Sequence, residues 1–142
     1  MKRTYKSMSG VTLLEIMLVL AIAALVIVMS IRFYQSASSS QKINTMVSLA
    51  QGITAASENY FNSNASSYDN LDNTTLAPYM PNNSVPNTPW GGAIEVTGSG
   101  SALTISPSGI PTQECLAVKK FLETNNKYSV DGSCVIKYNQ GS

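Results

Sequence analysis

The longest apolar run of the chain lies near its N-terminus. Positions 11 to 31 read VTLLEIMLVLAIAALVIVMSI, and Glu15 is the one charged residue among these 21. At about 1.5 Å per residue, a helix of this length matches a hydrocarbon core about 30 Å thick. The pattern therefore predicts a membrane-spanning helix over 11–31, closed by Arg32.

Apolar residues continue at helical spacing after Arg32, but on one face only. No proline occurs between positions 11 and 77, so nothing in that stretch forces the helix to end. The serine-rich segment 36–40 has low helix propensity and is its weakest part. We predict one long helix over 11–62, whose second half packs under a head through Ile43, Met46, Val47, Ala50, Ile53, Tyr60 and Phe61.

The remaining positions, 63–142, predict a small globular head. Segment 62–92 is rich in Asn, Ser, Asp and Pro, which indicates an ordered loop or a series of turns. A second helix is predicted to start at Pro111 and to end near Asn125. Strands are predicted at 93–97, 102–106, 128–130 and 134–138, with the sequence GSGS (98–101) linking the first two. The predicted fold class is α+β: a long N-terminal helix packed on a small antiparallel sheet, with a second helix on its flank.

Composition narrows the classes of function. Only 12% of the residues are charged and the net charge is +1, which argues against nucleic acid as a partner. Histidine is absent, and the sequence shows no P-loop, catalytic triad or paired carboxylates at an interpretable spacing. The acids Asp69, Asp72 and Asp131 lack EF-hand spacing. We therefore predict no enzymatic activity, no cofactor and no metal site.

The chain has two cysteines, Cys115 and Cys134, both near the C-terminus. An even number of cysteines behind a membrane-targeting segment favours one disulfide in an oxidising compartment. Two free thiols and a redox pair are the alternatives, although the spacing is far from C-x-x-C. A head of about 80 residues has a small core and benefits from such a cross-link.

Glu15 needs an explanation, because an acid within a bilayer costs about 2.5–3.5 kcal/mol and normally marks a function. Thr12 and Glu15 fit the S/T-x-x-E capping box, which accounts for the local geometry but not for the burial. A cleaved secretory signal is the other alternative, but the apolar run is too long for one. Cleavage between Gly10 and Val11 would create an α-ammonium group that Glu15 could neutralise, on the same chain or on a neighbouring one.

The basic leader with Lys2, Arg3 and Lys6, then Gly10, the sequence VTLLE and a long apolar run, resembles the class III signal of type IV pilins. The resemblance implies that a prepilin peptidase removes a leader peptide, positions 1–10, and methylates the new N-terminus at Val11. It also implies that Glu15 docks the subunit into a filament. Val11 replaces the phenylalanine usual in the type IVa branch, which favours the type IVb branch.

The sequences WGGAIEV (90–96) and GIPTQECLAVKKF (109–121) resemble the head of type IVb major pilins, including those of conjugative thin pili. This resemblance implies a bond between Cys115 and Cys134, and a helix whose apolar half protrudes from the head. The implied function is that of the major pilin, a homo-oligomeric subunit of a helical surface filament for adhesion, aggregation, motility or conjugation. The implied precursor lies in the inner membrane with its head in the periplasm, where the pilus assembly machinery takes it up. A pseudopilin of a type II secretion system and a minor pilin are the alternatives.

Overall fold

The computed structural model describes residue 10 and residues 12–141. Positions 1–9 of the predicted leader and the predicted methylation site, Val11, lie outside the described residues. The described chain has an α+β fold, which confirms the predicted class. Its helices and strands, in chain order, are α1 (Leu13–Ser63), α2 (Asn73–Leu76), β1 (Ile94–Ser99), β2 (Ala102–Pro107), α3 (Thr112–Leu122), β3 (Tyr128–Val130) and β4 (Ile136–Asn139).

Helix α1 has 51 residues, close to the predicted length, and the serine-rich segment 36–40 is helical throughout. The chain divides into two compact units, the first ending at Ser38 and the second running from Ser39 onwards. In the first unit α1 exposes its apolar side chains. In the second unit it buries one face, which includes Met46, Ala50 and Ile53.

The head contains a four-stranded antiparallel sheet in the order β1-β2-β4-β3. Side chains alternate along the strands, so that one face of the sheet is buried and the other is exposed. The buried face carries Ile94, Val96, Leu103, Ile105, Val130, Ile136 and Tyr138, which form one core with the buried face of α1.

The β1–β2 hairpin is tighter than the sequence predicts. Gly98 belongs to β1, and the link is the two-residue turn Gly100-Ser101, with Gly100 at φ +57°. Position 98 is a glycine because the backbone of Tyr68 approaches it closely: a Cβ on Gly98 would overlap the carbonyl oxygen of Tyr68. Gly98 therefore allows the close packing of two backbones, whereas Gly100 allows the positive φ that the turn requires.

Two predicted boundaries near the C-terminus are wrong. Helix α3 ends at Leu122 rather than near Asn125, and the side chain of Glu123 turns back to accept a hydrogen bond from the Val130 amide at 3.0 Å. Strand β4 begins at Ile136 rather than at Cys134. The preceding residues are held in a turn by Asp131, whose Oδ1 accepts hydrogen bonds from the Ser133 and Val135 amides.

The loop between α1 and β1 is ordered, as predicted, and it contains a short helix, α2. Asp72 caps this helix by accepting hydrogen bonds from the Thr74 and Thr75 amides. The next residue, Asn73, covers the outer edge of β1. Its Oδ1 accepts from the Val96 amide at 2.7 Å, and its Nδ2 donates to the Ile94 carbonyl at 2.8 Å. A single side-chain amide thus replaces the neighbouring strand that β1 lacks on this side.

Candidate assembly site

Glu15 lies in the first turn of α1, where a carboxylate favours the positive end of the helix dipole. Its backbone amide donates to Thr12 Oγ1 at 3.3 Å and to the Thr12 carbonyl at 3.0 Å. Thr12 therefore caps the helix through its own side chain. The backbone amide of Glu15 takes part in this cap, and the side chain of Glu15 is exposed.

The surface around Glu15 is apolar. Leu13 and Leu14 are each 80% exposed, and the most hydrophobic window of α1 has no buried residue. Burying one such side chain contributes about 1.5–3 kcal/mol of favourable free energy. Covering the whole segment would therefore contribute on the order of tens of kcal/mol. The described part of the chain contains one helix long and apolar enough to cross a membrane, and it is this one.

Gly10 precedes the helix and is exposed. A Cβ placed on this residue would meet no atom of the described residues within 4 Å. The described residues therefore give no steric reason for a glycine at this position.

Cys115 and Cys134 form a disulfide, with their Cα atoms 5.6 Å apart. Both cysteines are buried. The bond joins α3 to the turn between β3 and β4, and Cys134 has φ +64° in that turn. The disulfide therefore fixes α3 to the β3–β4 end of the sheet.

The side chains of Asp69, Asp72 and Asp131 all accept hydrogen bonds from backbone amides, locally for Asp72 and Asp131 and across to the β1–β2 turn for Asp69. The Asp69 side chain accepts from the Gly100 amide at 2.7 Å, while Asp72 caps α2 and Asp131 holds the β3–β4 turn. These hydrogen bonds lower the pKa values of the Asp69 and Asp72 carboxyls, because they favour the charged form. The structure thus assigns each acid a role in shaping the backbone.

A polar cluster that the sequence pattern did not indicate joins α1 to the end of the chain. Tyr138 of β4 donates a hydrogen bond to Oε1 of Glu58 on α1. The hydroxyl of the buried Tyr68 donates to Gln140 Oε1 at 3.3 Å. Burial raises the pKa values of Tyr68, Tyr128 and Tyr138, and the nearby Glu58 carboxylate raises them further. The only sequence signal for this cluster was the number of tyrosines.

No family model, no curated protein and no solved structure matches this chain. The fold nevertheless has the features of a pilin-like architecture: a long, N-terminally apolar helix, a four-stranded antiparallel sheet and a C-terminal disulfide.

Proposed function

We propose that this chain is the major pilin of a type IV pilus, a structural subunit that assembles into a helical surface filament. The observation that carries this proposal is Glu15, an acid at the start of a helix whose apolar surface is exposed on all sides. Lipid would cover that surface in the inner-membrane precursor, and the helices of other copies would cover it in the filament. The role is structural rather than enzymatic.

The proposed assembly step depends on a charge that processing creates. A prepilin peptidase would cut after Gly10 and methylate the new amino group of Val11. Glu15 of one subunit would then pair with the α-ammonium of Val11 on an adjacent subunit in the water-poor core of the filament. Such a pair offsets part of the cost of burying the acid, and an acid buried without it would remain uncompensated.

The disulfide supports a pilus subunit over the nearest alternative. Major pseudopilins of type II secretion systems usually lack a C-terminal disulfide, whereas the Cys115–Cys134 bond fixes α3 in this head. A minor pilin is a further alternative. The presence of Glu15 favours the major pilin over the minor pilin, because a major pilin has a neighbouring subunit on both sides in the filament.

Electron microscopy of filaments sheared from the cell surface, with mass spectrometry of their subunit, tests the proposal. We expect filaments built mainly of this chain, with a methylated N-terminus at Val11 and a closed disulfide. Replacing Gly10 by phenylalanine should leave the leader attached while the head still folds, since the position is exposed and open. A mature N-terminus at Ser38 or Ser39, or surface filaments that lack this chain, would contradict the proposal.

A further inference from the structure

Charge is distributed unevenly along the head. Between Lys42 and Lys119 the sequence has five acids and no lysine or arginine, whereas from Lys119 onwards it has four lysines and two acids. The fold places Glu95 of the acidic stretch at one edge of the sheet and Lys120 of α3 beside the other edge, while Glu114 also lies on α3 and Lys137 lies on the central strand β4. The order β1-β2-β4-β3 puts β1 at one edge and β3 at the other, about 14 Å apart at the usual strand spacing.

The β1 edge is acidic and concave. Asp72 and Glu95 are both exposed, and they line a groove of about 420 Å³ together with Asn73, Ile94 and Val96. Asp72 keeps its charge because the hydrogen bonds of the α2 cap lower the pKa of its carboxyl. Asn73 occupies the backbone groups of Ile94 and Val96, so a partner would recognise side chains here rather than add a strand.

The opposite edge presents an exposed face of α3. Leu116 is 62% exposed, and Lys120 follows one helical turn later on the same side. The hydrogen bond from the Val130 amide to Glu123 holds α3 beside β3. Lys119 pairs with Glu123 at 3.7 Å, and this is the only ion pair within residues 12–141. Lys120, Asp72 and Glu95 therefore have no oppositely charged partner within the described residues.

We propose that the acidic β1 edge of one head binds the Leu116–Lys120 face of α3 on a second copy of this chain. The charges of the two surfaces are complementary, and each surface has an exposed charge that finds no oppositely charged partner among residues 12–141. Because the surfaces lie at different edges of one sheet, the contact is head-to-tail, and repetition produces an open polymer rather than a closed pair. This inference rests on the proposed function and names a contact between neighbouring heads in the filament.

Zero-length carbodiimide cross-linking tests this contact directly, because the reagent joins a lysine to a carboxylate only when they touch. The full-length chain is incorporated into phospholipid vesicles as a mixture of ¹⁴N- and ¹⁵N-labelled copies, and mass spectrometry identifies the linked peptides. We expect mixed-isotope links from Lys120 to Glu95 or Asp72. Their yield should fall at least fivefold in 0.5 M salt, because exposed charges are screened.

Charge reversal sharpens the test. K120E and E95K each remove one of the two reactive groups, so the deciding variant is K120E/E95K, which exchanges the groups and should restore a mixed-isotope link between positions 95 and 120. K137E is the matched control, because it makes the same change in charge at an exposed site in the middle of the sheet. A link found only within one chain, or a double variant K120E/E95K that gives no mixed-isotope link between positions 95 and 120, would overturn the inference.

Electron microscopy of cells producing the same variants separates this inference from the proposed function. Wild-type filaments whose heads give no link between these edges would overturn the head contact and leave the pilin proposal intact. Mixed-isotope links between these edges in a chain that never forms surface filaments would support the contact and contradict the pilin proposal.

Discussion

The hydroxyl of Tyr138 donates a hydrogen bond to Glu58, and this contact joins the last strand to the long helix. Two further tyrosines, Tyr68 and Tyr128, lie in the same electrostatic environment. Burial disfavours the ionised form of each phenol, and the carboxylate disfavours it further because ionisation would bring a second negative charge into the cluster.

This cluster predicts a loss of stability at alkaline pH. The unfolded tyrosines ionise near pH 10, whereas the pKa of folded Tyr68 is raised to about 12 and those of Tyr128 and Tyr138 are also raised. The stabilisation is therefore fully present below about pH 10. The contribution of Tyr68 declines as the pH rises from 10 towards 12, by on the order of 1 kcal/mol per pH unit, and Tyr128 and Tyr138 act in the same direction. Urea unfolding of the detergent-solubilised chain between pH 8 and 11.5, followed by near-ultraviolet circular dichroism, measures this slope.

The matched control for the alkaline effect is Tyr34→Phe, because Tyr34 is 76% exposed. It should leave the slope unchanged, whereas Tyr68→Phe should make it shallower. Equal slopes for the wild type and Tyr68→Phe would show that this tyrosine does not resist ionisation in the folded head.

Asn73→Ala should destabilise the head although the residue is exposed. The substitution leaves the Val96 amide and the Ile94 carbonyl without their partner, which costs about 1–3 kcal/mol. Asn73→Asp should also be destabilising, since a carboxylate would face the Ile94 carbonyl. Urea titration measures both effects, and the exposed Asn59→Ala serves as the control. A midpoint for Asn73→Ala equal to that of the control would argue against the edge-covering role.

Cys134→Ser should make the head sensitive to proteases. The bond spans a sequence separation of 19, and its loss costs roughly 3 kcal/mol in the chain-entropy model. That is a large share of the 5–15 kcal/mol typical of a whole domain. Limited proteolysis of the exported protein measures the effect, and Cys115→Ser/Cys134→Ser should behave like the single variant. Wild-type resistance in both variants would mean that the packing of α3 does not depend on the bond.

Glu15→Ala should separate assembly from folding. Removing one partner of a buried ion pair costs about 3–5 kcal/mol, so we expect a chain that is processed and folded but does not form filaments. Thr12→Ala is the control, because it removes the helix cap at a cost of about 1 kcal/mol and keeps the acid. It should give normal filament numbers. Filaments are counted by electron microscopy at equal levels of processed protein, and abundant filaments from Glu15→Ala would refute the pairing.

The features that the sequence predicts correctly are those that follow from the periodic spacing of apolar residues. The apolar run, the helical spacing of Met46, Ala50 and Ile53, and the short apolar strands gave the α+β fold and nearly the full extent of α1. Periodicity reports which face of an element is buried, and these elements are long or regular enough to show it.

The sequence failed where a single contact decides the structure. The role of Asn73 depends on β1 lying beside it in space, more than 20 residues away in the chain. The sequence pattern places Gly98 in a turn, because its close approach to Tyr68 is visible only in three dimensions. The start of β4 was misplaced because Asp131 captures two amides that an extended strand would have offered to its neighbour. Glu58 and Tyr138 lie 80 positions apart, and neither carries a local motif.

The disulfide also determines what a cut in the head can do. Lys119, Lys120 and Lys127 all lie between the two bonded cysteines, so a trypsin-like protease that cleaves at any of them leaves one covalent molecule. The fragment with β4 stays attached to the rest, and its strand keeps its place between β2 and β3. A nicked chain would therefore run as an intact chain on a gel until it is reduced, and in the proposed filament such a cut would release no mass.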